Sequence, residues 1–166
     1  MLDAVLIPSF SPRKVQFLAK ASLFSSRIGR WFFPRIGAIA VHREASSAAQ
    51  AALEAGREVL AAGNVFAVFP EGSRSRDGRL YRGRTGAAWL ALETGATVIP
   101  VGIRGTDRGR AGQISLRFGT PVELSDLAEQ PSGLARREAT ERIMAAIQSL
   151  TGQKRADTYA PGSLGA

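Results

Sequence analysis

The stretch FPEGSRS at residues 69–75 carries the side chains best suited to chemistry in this 166-residue chain. It closes an apolar run of strand length, so the sheet would deliver these residues to its edge, where ligands bind in open α/β folds. Gly72 lets a ligand approach the backbone closely, and Ser73 can donate a hydrogen bond. Arg74 can hold a phosphate through two parallel hydrogen bonds. The stretch predicts a phosphate site.

The surrounding charge favours the same kind of ligand. The net charge is +8, and Lys occurs only three times among the 22 cationic residues. Near the stretch the arginines are Arg74, Arg76, Arg79, Arg82 and Arg84. Against Glu71 and Asp77 they would create a positive field that attracts anionic substrates. Two alternatives stay open: a solvated basic loop ended by the Asp77–Gly78 turn, and a basic surface without a specific partner.

Composition excludes several other classes. The chain has no Cys, which rules out disulfides, thiolate metal sites and thiol nucleophiles. It contains no apolar run of about 18 residues, the length that spans a bilayer. The stretch RGRTGAA lacks the spacing of a nucleotide-binding P-loop. We expect no metal and no cofactor.

Hydrophobic periodicity predicts alternating strands and helices. Strands are expected at 14–20, 38–43, 64–69, 97–103 and 113–119, and helices at 21–37, 46–63, 86–95 and 135–150. The run at 64–69 reads as a central strand covered on both faces, and Pro34 should end the first helix. This pattern predicts an α/β fold with a mixed, largely parallel sheet flanked by helices. One domain would cover 1–151, followed by a disordered tail at 152–166.

Four sequence blocks in order resemble the glycerolipid acyltransferases, a family that includes the 1-acylglycerol-3-phosphate acyltransferases (PlsC-like). FPEGSRS is similar to the third block, with Ser73 in place of the usual Thr, and VIPVGI at 98–103 to the fourth. RIGAIAVHR resembles the second block and places Gly37 and Arg43 in it. VQFLAKASLF is similar to the stretch between the first and second blocks and matches its Lys to Lys20. The similarity runs to about residue 120 and implies a glycerol-3-phosphate acyltransferase-like fold.

The resemblance implies roles for individual residues. Asp3 would be the Asp of the first block, His-x-x-x-x-Asp, which orients a His that acts as general base. Lys20, Arg43 and Arg74 would be the cations for the acceptor phosphate, with Glu71, Gly72 and Ser73 lining the pocket. Glu71 could instead pair with a neighbouring arginine. VIPVGI would form a wall beside the acyl chain or thioester, or serve as a plain core strand.

The implied activity is transfer of a fatty acyl group to the free hydroxyl of 1-acylglycerol-3-phosphate, which makes phosphatidate in phospholipid synthesis. The co-substrate would be acyl-CoA or acyl carrier protein, and the enzyme would act at the cytoplasmic face of the cell membrane as a peripheral protein, without nucleic acid. Alternatives are acylation of another lyso-lipid, or a non-catalytic basic module that binds anionic lipid or nucleic acid.

Trp31, Phe32 and Phe33 among arginines would suit membrane contact, although a core helix with a basic exposed side has the same pattern.

The resemblance implies that the chain starts inside the first block. Counting back five positions from Asp3 puts the base three residues before Met1. His42 is the one His of the chain, and no Asp follows it four residues later. The implied causes are a gene start assigned too late, or a true truncation.

We expect that the 166-residue chain does not esterify lysophosphatidate with acyl-CoA. A form extended upstream by an in-frame His should do so, because general base catalysis raises the rate roughly 10²- to 10⁴-fold. Reading the upstream DNA and assaying both forms tests this. Robust turnover by the shorter form would instead assign the base role to His42.

Overall fold

The chain forms two compact units, Met1–Val68 and Phe69–Ala166. The computed structural model describes residues 7–8, 10–41, 48–73, 75, 77–106, 114–127 and 132–161. The first unit contains a parallel sheet, and the second contains an antiparallel strand pair packed with helices.

The sheet of the first unit has three parallel strands in the order β2–β1–β3. The strands are β1 (Val15–Lys20), β2 (Ala38–Val41) and β3 (Val65–Ala67). Helix α1 (Arg27–Phe32) lies between β1 and β2 in the chain, and helix α2 (Ala48–Ala61) between β2 and β3. Helical connections of this kind are what parallel pairing requires.

Alternate residues of β1 supply the core of this unit. Val15, Phe17 and Ala19 are only 3%, 5% and 7% exposed, since successive side chains of a strand point to opposite faces. Phe17 and Ala19 pack with Ala38 and with a set of half-buried apolar residues. These are Phe24, Phe33, Ile36 and Ala67. The strand predicted at 14–20 is confirmed, and it is the central strand.

The prediction of a central strand at 64–69 is wrong. In the described sheet β3 is an edge strand of three half-buried residues that pairs with β1. Val68 and Phe69 beyond it are 42% and 49% exposed. A continuous apolar run indicates a strand, but long-range pairing decides which strand is central, and that information is absent from the run itself.

The single helix expected at 21–37 is also wrong. The segment forms a 3₁₀ turn at Ala21–Phe24 and then α1. Ser26 separates the two: its backbone is extended, and its hydroxyl accepts a hydrogen bond of 2.9 Å from Gly29 N. A serine that caps a helix start in this way ends any helix preceding it. As expected, Pro34 lies beyond the helix end.

Two predicted helix ends are confirmed. Gly63 follows α2 with φ 72°, and Gly95 caps α3 (Gly86–Thr94) with φ 65°. Both take the left-handed conformation that glycine accepts without a steric penalty.

The second unit packs α3 and α4 (Ser132–Thr151) around one apolar core. Its buried members are Ala88, Leu127, Ala135, Ala139 and Ile143. The antiparallel pair is β4 (Val101–Arg104) with β5 (Ser115–Phe118). Pro100 precedes β4 rather than lying within it, as a residue without a backbone N–H requires.

The C-terminal residues 152–161 differ from the predicted disordered tail. Leu80 N donates to Lys154 O at 3.0 Å, Ala156 N donates to Leu80 O at 2.9 Å, and Ala160 is 4% exposed. Polar composition suggested disorder, but backbone groups of a distant segment give these residues partners that composition cannot reveal. Residues 162–166 lie outside the described part of the chain.

The predicted mixed α/β class is confirmed, with helices flanking a parallel sheet. Of the helices in the described ranges, none combines the length and the apolar character needed to cross a lipid bilayer.

We expect Gly37→Ala to destabilise the protein by more than about 3 kcal/mol, within the range of the severe single substitutions. Gly37 has φ 82°, and an added Cβ would overlap the Val15 carbonyl oxygen of β1. Gly63→Ala is the matched control, because its φ is 72° but its Cβ would meet no described atom within 4 Å. The control should cost about 1–2 kcal/mol, from the left-handed backbone alone. Urea unfolding measures both, and equal losses would show that the Gly37 contact is unimportant.

Candidate functional site

The loop that carries FPEGSRS turns at Gly72. Gly72 N donates to Phe69 O at 3.1 Å, and Gly72 has φ 73°. A residue with a side chain would be strained in this conformation. Gly72 was expected to supply conformational freedom, and it does form the turn, which lies between Glu71 and Ser73.

Arg84 holds this loop from one side. Its backbone N donates to Pro70 O at 2.8 Å. Its side chain lies against Gly72, where an added Cβ would come 2.9 Å from Arg84 Cδ. The space that glycine leaves at this position is thus occupied by a side chain of the same unit.

Glu71 holds the same segment through its carboxylate. Glu71 Oε2 accepts a hydrogen bond of 2.7 Å from Tyr81 N. Burial raises the pKa of the half-buried Glu71 carboxyl, the Tyr81 hydrogen bond opposes that rise, and the charge of Asp77 adds to it. The contact with Tyr81 makes Glu71 an anchor of the loop, a role that the sequence did not predict.

Ser73 Oγ is buried and has no hydrogen-bond partner among the described residues. A buried hydroxyl without a partner costs about 1–3 kcal/mol, so such groups are rare in folded proteins. A ligand oxygen is one partner that would satisfy it. Of the predicted site residues that the structure describes, Ser73 carries the clearest signal for binding.

Asp77 organises the turn that follows. It accepts hydrogen bonds from Ser75 Oγ at 3.1 Å, Arg79 Nε at 2.6 Å and Tyr81 Oη at 2.9 Å. Hydrogen bonds from the Arg79 side chain and backbone, followed by those from the Tyr81 and Ser75 hydroxyls, hold the pKa of Asp77 well below its ordinary value. Arg79 is therefore paired within the turn and contributes less to the predicted positive field.

Two further arginines converge on an aromatic ring that sequence reasoning missed. The guanidinium carbons of Arg82 and Arg84 lie 5.5 and 5.2 Å from the centre of the Tyr159 ring. These distances are typical of cation–π contacts. Tyr159 lies 75 residues after Arg84, inside the segment predicted to be disordered, and no local signal marked it.

The remaining predicted residues are described only in part. Lys20 ends β1 and is paired in register with Val41 of β2, so these strand ends share one edge of the first unit's sheet. Asp3, His42, Arg43 and Arg74 lie outside the described residues, and their predicted roles stay predictions.

The VIPVGI segment packs against α4. A Cβ at Gly102 would come 2.7 Å from Leu150 Cβ, and Gly119 N donates to Pro100 O at 2.9 Å. These contacts favour the interpretation of this segment as core structure.

Among the described residues, no group of three or more His, Cys, Asp or Glu side chains could hold a metal ion.

Known acyltransferases are similar to this chain in sequence. Residues 1–104 match the model of the acyltransferase family. A chloroplastic 1-acyl-sn-glycerol-3-phosphate acyltransferase of Arabidopsis thaliana is 31% identical over 96 residues, which cover 58% of this chain and 27% of that protein. The enzyme of the same name from Bacillus subtilis is 28% identical over 144 residues, covering 84% of this chain and 70% of that protein.

A solved structure is similar as well. The crystal structure of PlsC, the 1-acyl-sn-glycerophosphate acyltransferase of Thermotoga maritima, matches with a TM-score of 0.61 and 26% identity over 82% of this chain and 57% of that one. The chain spans about a quarter of the length of chloroplast relatives from Arabidopsis thaliana and Brassica napus (27% in each). The family match covers well over half of the 166 residues, and the chain belongs to the acyltransferase family.

Proposed function

We propose that this chain carries the acceptor site of a 1-acylglycerol-3-phosphate O-acyltransferase. The enzyme would move a fatty acyl group from a thioester donor to the free hydroxyl of lysophosphatidate and make phosphatidate. The names of the relatives support this reaction. The observation that carries the proposal is the buried Ser73 hydroxyl, which lacks a partner in the described structure and directly precedes Arg74.

In this proposal the loop binds the acceptor phosphate. Ser73 Oγ donates to a phosphate oxygen, and Arg74 supplies charge-assisted hydrogen bonds. Glu71 and Gly72 keep the loop in place through Tyr81 and Arg84. Arg43 and Lys20 are further candidate cations for the same phosphate.

The chemical step is an ester-forming acyl transfer. The acceptor hydroxyl attacks the thioester carbonyl, an O–C bond forms, the C–S bond breaks and the thiol leaves. A base removes the hydroxyl proton, and Asp3 would orient that base as the carboxylate of a triad does. The donor is acyl-CoA or acyl carrier protein, which present the same thioester to the acceptor. Parallel assays with each donor identify which one is used.

We expect Arg74→Ala to weaken binding of a short-chain lysophosphatidate about 10- to 100-fold, because hydrogen bonds to a charged group contribute about 1.5–3 kcal/mol. Ser73→Ala should weaken it less, and Ser73→Thr should retain it. Binding of the matching monoacylglycerol, which lacks the phosphate, should not change in any variant. Calorimetric titration measures all of these without requiring turnover.

The control for Arg74 is Arg57→Ala, which removes the same charge from α2, where Arg57 pairs with Glu54. It should bind lysophosphatidate as the wild type does. Equal affinity of the wild type for both acceptors, or unchanged binding by Arg74→Ala, would contradict the proposed site.

We also propose that α1 contacts an anionic lipid surface, at the cytoplasmic face of the cell membrane. Trp31 and Phe32 are 60% and 39% exposed, and the Arg35 guanidinium carbon lies 4.2 Å from the centre of the Trp31 ring. Residues 4–43 contain seven cations and no acidic residue. Exposed aromatics among arginines suit a headgroup region. Phe33 instead packs against Phe24, with ring centres 5.3 Å apart, and is not part of this surface.

We expect the double variant Trp31→Ala, Phe32→Ala to lose most binding to vesicles of anionic phospholipid in a sedimentation assay. Phe118→Ala is the control, because it truncates an aromatic residue of β5 that is 48% exposed. This variant should bind the anionic vesicles as the wild type does. Neutral vesicles should bind the wild type weakly, since the cations contribute about 1 kcal/mol each near an anionic surface. Undiminished binding by the double variant would exclude α1 as the contact.

A further inference from the structure

The segment of residues 153–160, here called the C-terminal strap, lies along residues 78–82. Backbone hydrogen bonds join Leu80 to Lys154 and Ala156, and Arg82 N donates to Thr158 O at 3.0 Å. At its start the strap is held by Gln153 Nε2, which donates to Gly78 O at 2.9 Å. A further bond joins it to α4, from Arg155 Nη2 to Glu141 Oε2 at 2.6 Å. The strap is therefore fixed by groups other than Tyr159.

Tyr159 makes a different kind of contact from the rest of the strap. Its ring lies beneath the guanidinium groups of both Arg82 and Arg84, at 5.5 and 5.2 Å. Tyr159 is 48% exposed, so it is not a core residue whose main effect is burial. One aromatic ring therefore contacts two cations that would otherwise repel each other.

Arg84 extends this contact to the loop. Its side chain fills the space beside Gly72, and its backbone N donates to Pro70 O. Gly72 directly precedes the buried Ser73 hydroxyl. A continuous series of contacts thus runs from the Tyr159 ring through Arg84 to the residue next to Ser73.

We propose that Tyr159 is a positioning residue for the phosphate-binding loop, acting through Arg84 on Gly72 and Ser73. The inference rests on the proposed function for the identity of the ligand, and on the contacts above for the positioning itself. Removal of the ring would leave the strap attached by its backbone bonds. It would also remove the ring contact of the Arg84 side chain, which lies against Gly72.

The test uses the full chain with Tyr159→Leu and Tyr159→Phe. Tyr159→Leu should speed amide hydrogen exchange several-fold at Gly72 and Arg84, whose N–H groups bond Phe69 and Pro70. Exchange at Leu80 and Arg82, which bond the strap, should stay at the wild-type rate. Tyr159→Phe keeps the ring and should behave as the wild type throughout.

Affinity provides the second readout. Tyr159→Leu should bind a short-chain lysophosphatidate about 5-fold more weakly, the size of one exposed cation–π contact, with unchanged binding of the matching monoacylglycerol. Equal losses for both acceptors, or faster exchange along the whole strap, would indicate general loosening and overturn the proposal. Wild-type exchange at Gly72 and Arg84 in Tyr159→Leu would also overturn it.

The two proposals fail in different ways. If the wild type showed no preference for lysophosphatidate over monoacylglycerol, the proposed function would be wrong. The exchange measurement would still decide whether Tyr159 positions the loop, because it requires no ligand.

Discussion

The hydrogen bond from Tyr81 N to the Glu71 carboxylate is the contact on which the arrangement of the site depends. It connects the turn at Gly72 to the segment that also contains Arg84. Arg84 N in turn donates a hydrogen bond to the Pro70 carbonyl oxygen, next to the same turn. A short loop of seven residues has little core of its own, so its conformation must be fixed by neighbours. The Ser73 hydroxyl next to this turn is buried and has no hydrogen-bond partner among the described residues, so a polar group of a ligand would satisfy it. A ligand bound here would meet a loop whose conformation is already fixed, which favours affinity.

Cations have different roles in different parts of the chain. Arg79 is neutralised by Asp77 within the turn, and Arg82 and Arg84 share the Tyr159 ring. The arginines around α1 lie in a stretch without acidic residues and accompany exposed aromatics. The cations behind the net charge of +8 therefore differ in their surroundings: some are bound within the turn and against the Tyr159 ring, and others lie near the exposed aromatics of α1. Counting charges in the sequence could not separate these uses, because pairing depends on folded geometry.

Local patterns predicted the local features well. The glycines at 63, 72 and 95 adopt the left-handed conformations expected of them, and β1 and α4 lie where periodicity placed them. The failures share a cause: each depends on residues distant in the chain. β1 is the central strand, and not the run at 64–69, because both β2 and β3 pair with it in parallel. Tyr159 contacts Arg84 because the strap pairs with Leu80. The helix predicted across Ser26 is the exception, because the Ser26 cap that interrupts it is a local feature of the sequence.

In the proposed function, the turn at residues 71–73 receives the acceptor phosphate. A crystal structure of the chain with a soluble short-chain lysophosphatidate tests it most directly. We expect a phosphate oxygen at hydrogen-bond distance from Ser73 Oγ, about 2.6–3.0 Å, with the hydrogen bond from Tyr81 N to Glu71 retained. A phosphate bound elsewhere in the chain, with Ser73 Oγ still buried and without a ligand, would contradict it.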